Sequence, residues 1–424
     1  MSNDIRSVDS KRMASIPTQK EDITLNFVFL LVNQYLLKHG EHPLEASKMK
    51  DLQLVVQDCK SCVGDFSSTY AVDVTVPNGN GDTFQHCLFL LRFLTNAFHL
   101  GSKDDAFNFI VKMIPENDPC RVYVFETGLF EKENEIYFDL LPAIKFYFHK
   151  NVIIKNDAIP TVLDEIIPEC FYGSHNIDGA GVLVFQSCAT KKFKECQDPS
   201  GLNLQQLKSV VQRIAEFHAI SRAFVVKHGV NGVQRRYPML NQDMYSNGML
   251  IKEISYCLDA YEQFFNTVTS STPSMPQLKL SEDDLLEMKS QFLKLKGCEP
   301  EYLLKNLRKS SDGTLTTIIH GELWERNIML DEENNVKILD WKNTKLASSC
   351  LDLAFFLLSS TSSELRQKHT EELLTLYHET FSNILTNMKL DVEVPDIQEL
   401  SDEYKQCAQF ASLQVSSFSP LSIF

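Results

Sequence analysis

The segment around residues 320–341 constrains the fold of this chain more than any other part of the sequence. Two short apolar runs, Ile328–Leu330 and Val336–Leu339, flank a turn of acidic and amide residues, and this pattern predicts a β-hairpin. Four polar side chains lie just outside that hairpin: His320, Glu322, Asn327 and Asp340. The hairpin would bring Asn327, Asp340 and Glu322 near its open end.

The register of the hairpin decides which side chains meet. Pairing Leu330 with Lys337 brings Asn327 opposite Asp340 at the open end. One amide oxygen beside one carboxylate suits Mg²⁺ bound to nucleotide phosphates, because that ion keeps several waters and takes few protein ligands. Glu322 precedes the hairpin and is the candidate base for an attacking hydroxyl group.

The spacing of the same residues points to a reaction class. A His, a carboxylate two positions later and an Asn seven positions later have the spacing of a kinase catalytic loop. In the alternative interpretation His320-Gly321 is only a turn and Asp340 only caps a strand. That alternative explains each residue alone but not their combination, so the segment predicts an ATP-dependent phosphotransferase that uses Mg²⁺.

Composition excludes some partners. The formal charge of −15, from 41 basic and 56 acidic residues, argues against nucleic acid or an anionic membrane as the main partner. The apolar runs at 27–32 and 88–93 are too short to span a bilayer, and residues 1–20 contain no signal-type run. Eleven scattered cysteines predict reduced thiols and a cytoplasmic location.

One pair of cysteines lies close together in the sequence. Cys59 and Cys62 have the spacing of half a zinc site or of a redox pair. No second pair follows at a suitable distance, and no His-Glu-x-x-His sequence occurs in the chain. We interpret both residues as structural cysteines.

The pattern of apolar residues predicts an α+β chain, with a strand-rich first part and a mainly helical second part. A first helix is expected over residues 22–38 and a capped helix over 203–228, where Asn203 and Gln206 resemble a capping box. His218 lies on the apolar stripe of that second helix and is interpreted as a hydrogen-bonded core histidine. Strands are expected at Leu52–Val56, Tyr70–Val76, Cys87–Phe93, Asn108–Ile114 and Val122–Phe125.

The strand-rich part contains a second group of candidate residues. Lys112 lies inside an apolar strand, where its ammonium requires an anion, and Glu133 is in the first turn of a helix predicted from Phe130 to Leu141 and closed by Pro142. A strand lysine paired with a helix glutamate is how kinase folds hold nucleotide phosphates. In the alternative, Lys112 reaches past the sheet edge into solvent.

Two backbone segments are further candidates for nucleotide contacts. The turn at 64–69 could lay its N–H groups over phosphates, with Gly64, Ser67 and Ser68 as the contacting residues, although an ordinary turn also fits it. A buried strand, Gly181–Phe185, leads into a segment whose backbone can bind an adenine edge. Gln186 and Cys188 are the candidate residues there.

Taken together, these motifs resemble the ecdysteroid kinase-like (CHK kinase-like) family, which is related to choline kinases and aminoglycoside phosphotransferases. The resemblance runs from about residue 25 to the C-terminus and includes Ala215–Ser221 and Leu351–Phe356 besides the segments above. It implies a two-lobed protein-kinase-like fold, with an N-terminal antiparallel sheet, one key helix and a mainly helical C-terminal lobe. It also implies ATP with Mg²⁺, a small-molecule alcohol as acceptor, and Asp352 as an acid that steadies the catalytic loop.

The corresponding domain boundaries are a flexible segment at 1–21, an ATP-binding lobe at 22–187, and a catalytic and substrate lobe at 188–424. A protein kinase is excluded, because no glycine follows Asp340-Trp341 and only twelve positions separate Asp340 from Asp352, too few for an activation segment. The chain departs from the family at Glu322, where Asp is usual, and at Gln186-Ser187, where an acidic pair is common. A nucleotide-binding pseudokinase without turnover is therefore the alternative function.

Overall fold

The structure is a computed structural model that describes residues 16–58, 67–76, 105–115, 118–152, 162–176, 179–196, 201–241, 313–388 and 392–418, with a few isolated residues between these ranges. Several predictions therefore lie outside the described residues. They are the role of Gly64, the Cys59/Cys62 pair, the strand at 87–93, and residues 1–15 of the N-terminal segment 1–21.

The described helices and strands alternate irregularly along the chain. In order they are α1 (Leu25–Lys38), β1 (Gln53–Asp58), β2 (Ser68–Val76), β3 (Asp105–Met113), α2 (Asp118–Thr127), α3 (Leu129–Glu135), α4 (Leu141–Asn151), α5 (Val162–Ile166), β4 (Cys170–His175), β5 (Gly181–Gln186), β6 (Lys194–Glu195), α6 (Leu204–His228), α7 (Val230–Arg236), β7 (Thr316–Ile319), β8 (Ile328–Leu330), β9 (Val336–Ile338), β10 (Lys345–Ser348), α8 (Ser349–Ser359), α9 (Ser363–Thr386) and α10 (Ile397–Phe418). They form two compact units, residues 1–138 with 167–194 and residues 139–166 with 195–424.

The first unit is built on a five-stranded sheet in the order β1-β2-β3-β5-β4. Each neighbouring pair is antiparallel. Strand β2 alternates buried apolar residues with less buried ones, as expected for a strand with one face on the core. Helix α1 packs on that core with Phe27, Leu31 and Val32, and the Thr24 hydroxyl caps it by accepting from the Phe27 N–H.

The second unit is mainly helical within the described residues. Helix α6 begins at the predicted capping box, in which Asn203 and Gln206 each accept the other's backbone N–H. It ends at Gly229, whose φ of +71° is a conformation that glycine adopts readily. Helix α9 packs along α6, and α10 packs on α8. The predicted α+β class is confirmed.

Two local predictions are wrong. Residues 122–125 lie in helix α2 rather than in a strand; Val124 is buried there while Val122 and Phe125 are half exposed. Pro142 does not close the preceding helix, because a π-helical turn at Ile136–Leu140 leads directly into α4. Proline is tolerated there because the first turn of a helix needs no N–H donor.

Residues 139–166 group with the second unit although they precede strands of the first. Helix α4 packs on α6, where the Tyr147 hydroxyl donates to the Ala223 carbonyl at 3.2 Å and its ring meets Phe224 edge-on. The chain therefore passes from the first unit to the second and back before α6 begins. Among the described helices, none combines the length and apolar character needed to cross a bilayer.

Candidate active site

Strands β8 and β9 form the predicted hairpin, but its register differs from the prediction by one residue. Leu330 pairs with Val336 and Ile328 with Ile338, so Asn327 lies opposite Leu339, whose N–H donates to the Asn327 carbonyl at 2.8 Å. The predicted pairing of Asn327 with Asp340 is therefore wrong in register, although Asp340 follows immediately.

The turn between the strands explains the register. Asp331 accepts from the backbone N–H groups of Glu333 and Asn335 at 2.9 and 2.8 Å, and Asn334 has a φ of +62°. An Asp that binds its own turn and an Asn in the left-handed region are common turn devices. They close the hairpin over residues 331–335.

Ahead of the hairpin, His320 is buried and neutral. Its Nε2 lies 2.8 Å from the Leu339 carbonyl oxygen and therefore carries the proton, while Nδ1 accepts from the Glu322 N–H at 3.3 Å. Burial lowers the pKa of this imidazole despite the nearby carboxylate of Asp352. His320 thus ties the loop to the strand before Asp340 and is not itself in a position to act as a base.

Asp352 is the anchor of the loop. Its carboxylate accepts from the backbone N–H groups of His320 and Gly321 at 2.7 and 2.8 Å, and His218 Nε2 lies 3.2 Å from it. Burial alone would raise the pKa of Asp352, but the hydrogen bond and charge of His218, with the further donors, lower it. His218 is a core residue as predicted, and its Nδ1 lies 2.9 Å from the Tyr377 hydroxyl.

Gly321 makes the tight turn after His320 possible. Its φ is +87°, and a Cβ at this position would lie 2.2 Å from the Asn343 carbonyl oxygen. A side chain fits neither that backbone conformation nor that space. The loop that carries Glu322 is therefore pressed directly against the backbone that follows Asp340.

The Glu322 carboxylate is held by two side chains from that following turn. Asn343 Nδ2 donates to Oε2 at 2.7 Å, and Lys342 Nζ lies 3.7 Å from the same oxygen. The Lys342 ammonium also contacts the Asp340 carboxylate directly. Glu322 and Asp340 are thus brought to a shared cation, with both side chains less than one-sixth exposed.

Asn327 completes the cluster. Its Nδ2 donates to the Glu322 carbonyl oxygen at 2.9 Å, which fixes the orientation of the amide and leaves Oδ1 as its acceptor atom. One amide oxygen and one carboxylate are hard ligands of the kind that Mg²⁺ takes together with water and phosphate. The donor set at Asn327 and Asp340 therefore fits Mg²⁺. Within the described ranges, no three His, Cys, Asp or Glu side chains are grouped to hold a metal ion by themselves.

In the first unit, Lys112 and Glu133 form the predicted ion pair. Lys112 lies on the central strand β3 between Thr69 and Leu183, and its Nζ is 2.7 Å from Glu133 Oε2. Glu133 is almost fully buried. The alternative in which Lys112 reaches past a sheet edge into solvent is wrong, because β3 has a neighbour on each side.

The other nucleotide-contact candidates of this unit lie on strand ends. Ser68 is the first residue of β2, and Ser67 Oγ lies 3.5 Å from the Thr69 hydroxyl. Gln186 ends β5, where its N–H donates to the Glu169 carbonyl and its side chain to the Tyr35 hydroxyl. Cys188 begins the short turn that follows.

Sequence reasoning missed Lys342 and Asn343. Both are largely buried, but in the sequence they begin the polar run Lys342-Asn343-Thr344-Lys345. Such a run is typical of an exposed turn, so the sequence carries no signal that these two side chains are buried at the site. Trp341 between them and Asp340 is fully buried against Phe217, which fixes the turn.

Comparison with known proteins gives one family. A model described as the ecdysteroid kinase-like family matches residues 90–390, and no curated protein matches. Similar solved structures include a choline kinase from Cryptosporidium parvum Iowa II (12% identity, 94% of this chain and 89% of that chain, TM-score 0.41). They also include a Plasmodium vivax ethanolamine kinase (11%, 95% and 84%, 0.38) and aminoglycoside 2′-phosphotransferase-IIIa (12%, 86% and 84%, 0.37).

Proposed function

This chain belongs to the ecdysteroid kinase-like family, and on that premise we propose that it transfers the γ-phosphate of ATP to a hydroxyl group of a small organic alcohol. Acceptors of the ecdysteroid, choline-like or xenobiotic type are the classes to test. One observation carries the proposal: the loop bearing Glu322 is anchored by Asp352 and brought beside Asp340 and Asn327.

Each residue of that cluster has a proposed role. Glu322 orients the acceptor hydroxyl and takes its proton, as the acidic residue of kinase catalytic loops does. The acceptor oxygen bonds to the γ-phosphorus while the bond to the bridging oxygen breaks, which yields a phosphate ester and ADP. Asn327 and Asp340 would hold Mg²⁺, which neutralises phosphate charge when bound.

The first unit supplies the proposed nucleotide contacts. Lys112, oriented by Glu133, binds phosphate oxygens as a point charge, and the strand start at Ser67 and Ser68 offers backbone and hydroxyl donors. Gln186 and Cys188 stay the two adenine-contact candidates: the Gln186 N–H donates to the Glu169 carbonyl, and the Cys188 carbonyl accepts from the Phe193 N–H.

A specific observation favours the second candidate, a nucleotide-binding protein without turnover. The Lys342 ammonium contacts the Asp340 carboxylate, where a catalytic site needs a metal ligand. The presence of Lys112, Asn327 and Asp340 together favours a chain that keeps the nucleotide and metal contacts of a kinase, but all three would also serve a protein that only binds, so product formation is the measurement that separates the two candidates.

The experiment that separates the candidates uses the full chain. Purified protein is incubated with Mg²⁺-ATP and a panel of steroid, amino and xenobiotic alcohols, and phosphorylated products are measured by mass spectrometry. Thermal stabilisation by ATP is recorded in parallel with and without Mg²⁺. The kinase requires a product that disappears in Asp340→Ala together with the Mg²⁺-dependent part of the stabilisation. Stabilisation without any product supports the binding protein.

A further inference from the structure

Lys342 occupies an unusual position for a lysine. The whole residue is 8% exposed, and its ammonium contacts Asp340 Oδ2 while it lies 3.7 Å from Glu322 Oε2. A strongly hydrated ammonium is buried this far only where anions compensate it. Lys342 is therefore an internal cation between the two carboxylates of the candidate active site.

The backbone turn that carries Lys342 is fixed by hydrogen bonds. Lys342 lies in the short turn Trp341–Asn343, which follows Asp340 in the left-handed region at φ +64°. The indole N–H of Trp341 donates to the Ile338 carbonyl at 2.9 Å, and the Thr344 hydroxyl donates to the Trp341 carbonyl at 2.7 Å. The turn is held at both ends, so the ammonium and the Asp340 carboxylate can separate by side-chain rotation without movement of the turn.

The charges around Lys342 determine how this lysine affects cation binding at Asp340. The Lys342 ammonium lies beside the carboxylates of Asp340 and Glu322, so a neutral residue at 342 would remove one positive charge from beside both. A divalent cation at Asp340 and the ammonium at the same carboxylate repel each other. Binding of the metal therefore requires that the lysine release Asp340 or share it.

We propose that Lys342 and a divalent cation compete for the Asp340 carboxylate. Lys342 is on this account a positioning residue, which holds Asp340 and Glu322 together while no metal is bound and weakens divalent-ion binding at the site. The proposal rests on the proposed function only in taking Asp340 as the metal ligand. It assigns to this chain a weaker metal affinity than the same site would have with a neutral residue at 342.

The direct test measures Mn²⁺ binding without nucleotide. Free Mn²⁺ is counted by electron paramagnetic resonance during titration of wild type, Lys342→Gln and Lys405→Gln. Gln is polar and carries no charge, and Lys405 is a matched control because it pairs with Asp402 at 3.2 Å on the exposed surface of the same unit. We expect Lys342→Gln to lower the Kd for Mn²⁺ at least about tenfold and Lys405→Gln to leave it unchanged. An unchanged or higher Kd in Lys342→Gln overturns the proposal.

A second pair of variants locates the competition. In an Asp340→Asn background the carboxylate that both cations need is gone, so Lys342→Gln should no longer tighten Mn²⁺ binding. If it still tightens binding by the same factor, the gain is a general charge effect and competition at Asp340 is overturned.

Wild-type protein provides a test that does not depend on folding of Lys342→Gln. Amine labelling followed by peptide mass spectrometry reports how readily each lysine reacts. Saturating Mn²⁺ should increase the labelling rate of Lys342 by releasing it from Asp340, while Lys405 should react at the same rate throughout. A Lys342 rate that stays constant or falls overturns the proposal.

The two hypotheses fail separately. Tighter Mn²⁺ binding in Lys342→Gln, with no thermal stabilisation by ATP in any variant, supports the competition and overturns the kinase function. Stabilisation by ATP and product formation, with no effect of Lys342→Gln on Mn²⁺, overturn the competition and leave the kinase function standing.

Discussion

Asn343 donates a hydrogen bond from Nδ2 to Glu322 Oε2 over 2.7 Å. The contact joins Glu322, the proposed base, to the turn that follows Asp340, and Lys342 approaches the same oxygen. An aspartate at 322 would be one methylene shorter, and its carboxylate would withdraw from both neighbours. The longer side chain is therefore matched to its surroundings, which explains how this chain accommodates Glu where its family usually has Asp.

Replacing Glu322 with aspartate should consequently lower the proposed kinase activity. We expect Glu322→Asp to lower the turnover number about 10²-fold, because a displacement of roughly one ångström at a reacting group has that effect. Initial rates with Mg²⁺-ATP and an accepted alcohol provide the measurement. In an Asn343→Ala background the anchor is absent, so the same substitution should cost less. Faster turnover in Glu322→Asp would show that the native glutamate is a compromise.

Gly321 should be intolerant of any side chain. Gly321→Ala combines a positive φ with a Cβ at 2.2 Å from the Asn343 carbonyl oxygen, and such overpacking destabilises by about 1–3 kcal/mol beyond the backbone strain. Gly40→Ala is the matched control, because Gly40 has a φ of +76° and nothing within 4 Å of its Cβ position. Urea unfolding should show the larger loss for Gly321→Ala. Equal losses would mean that only backbone strain operates.

The helices that were predicted correctly from the sequence are those whose identifying residues lie within the helix or at its cap. Helices α1 and α6 combine an apolar stripe with a capping residue, and both features lie within the element itself. The run Val122–Phe125 failed because four apolar residues fit a strand and a helix equally well. The prediction that Pro142 ends the preceding helix was wrong because a π-helical turn precedes this proline. None of the sequence patterns described above predicts such a turn.

The candidate site was predictable in its residues but not in its register. Asn327 and Asp340 were found from spacing, whereas their alignment depends on a turn closed by the Asp331 side chain and on Asn334 at positive φ. Lys342 and Asn343 were missed because their partner Glu322 lies some twenty positions earlier. A contact of that separation leaves no periodic signal in a single sequence.

Asp352→Asn should destabilise the second unit strongly. The carboxylate accepts two backbone N–H groups and meets His218 in a buried network, and an amide cannot accept all of these donors. Breaking one partner of a buried network costs about 3–5 kcal/mol. Urea unfolding followed by tryptophan fluorescence measures it, because both tryptophans lie in this unit.

The destabilisation caused by Asp352→Asn should depend on pH only in acid. The pKa of Asp352 is lowered from 3.8, so its contribution is complete above that value and is lost as the pH falls through the lower folded-state pKa. The difference in unfolding free energy between wild type and Asp352→Asn should be constant from about pH 8 to pH 5 and shrink only below about pH 4. A difference that already falls near neutral pH would assign the effect to a histidine instead.

Glu169 should give the first unit a stability that depends on pH near neutrality. Its carboxylate meets Lys38 at 3.0 Å and His39 at 3.3 Å. Burial opposes ionisation of Glu169, but these two neighbours lower its pKa to about 2. In return, the hydrogen bond to Glu169 raises the pKa of His39 above 6.5. The His39 contribution is therefore complete below about pH 6.5 and lost as the pH rises through the raised value.

Glu169→Gln should accordingly cost more at about pH 5.5 than at about pH 8.5, with roughly 1–2 kcal/mol expected at the lower pH for a partly buried pair. Urea unfolding followed by circular dichroism at both pH values measures the difference. Asp58→Asn is the control, since Asp58 pairs with Lys20 on the exposed surface of the same unit and such pairs contribute about 0–1 kcal/mol. His39→Gln should abolish the pH dependence of the Glu169→Gln effect, because Lys38 stays charged at both pH values. If Glu169→Gln costs the same at both pH values in wild type, the protonated His39 does not stabilise this unit.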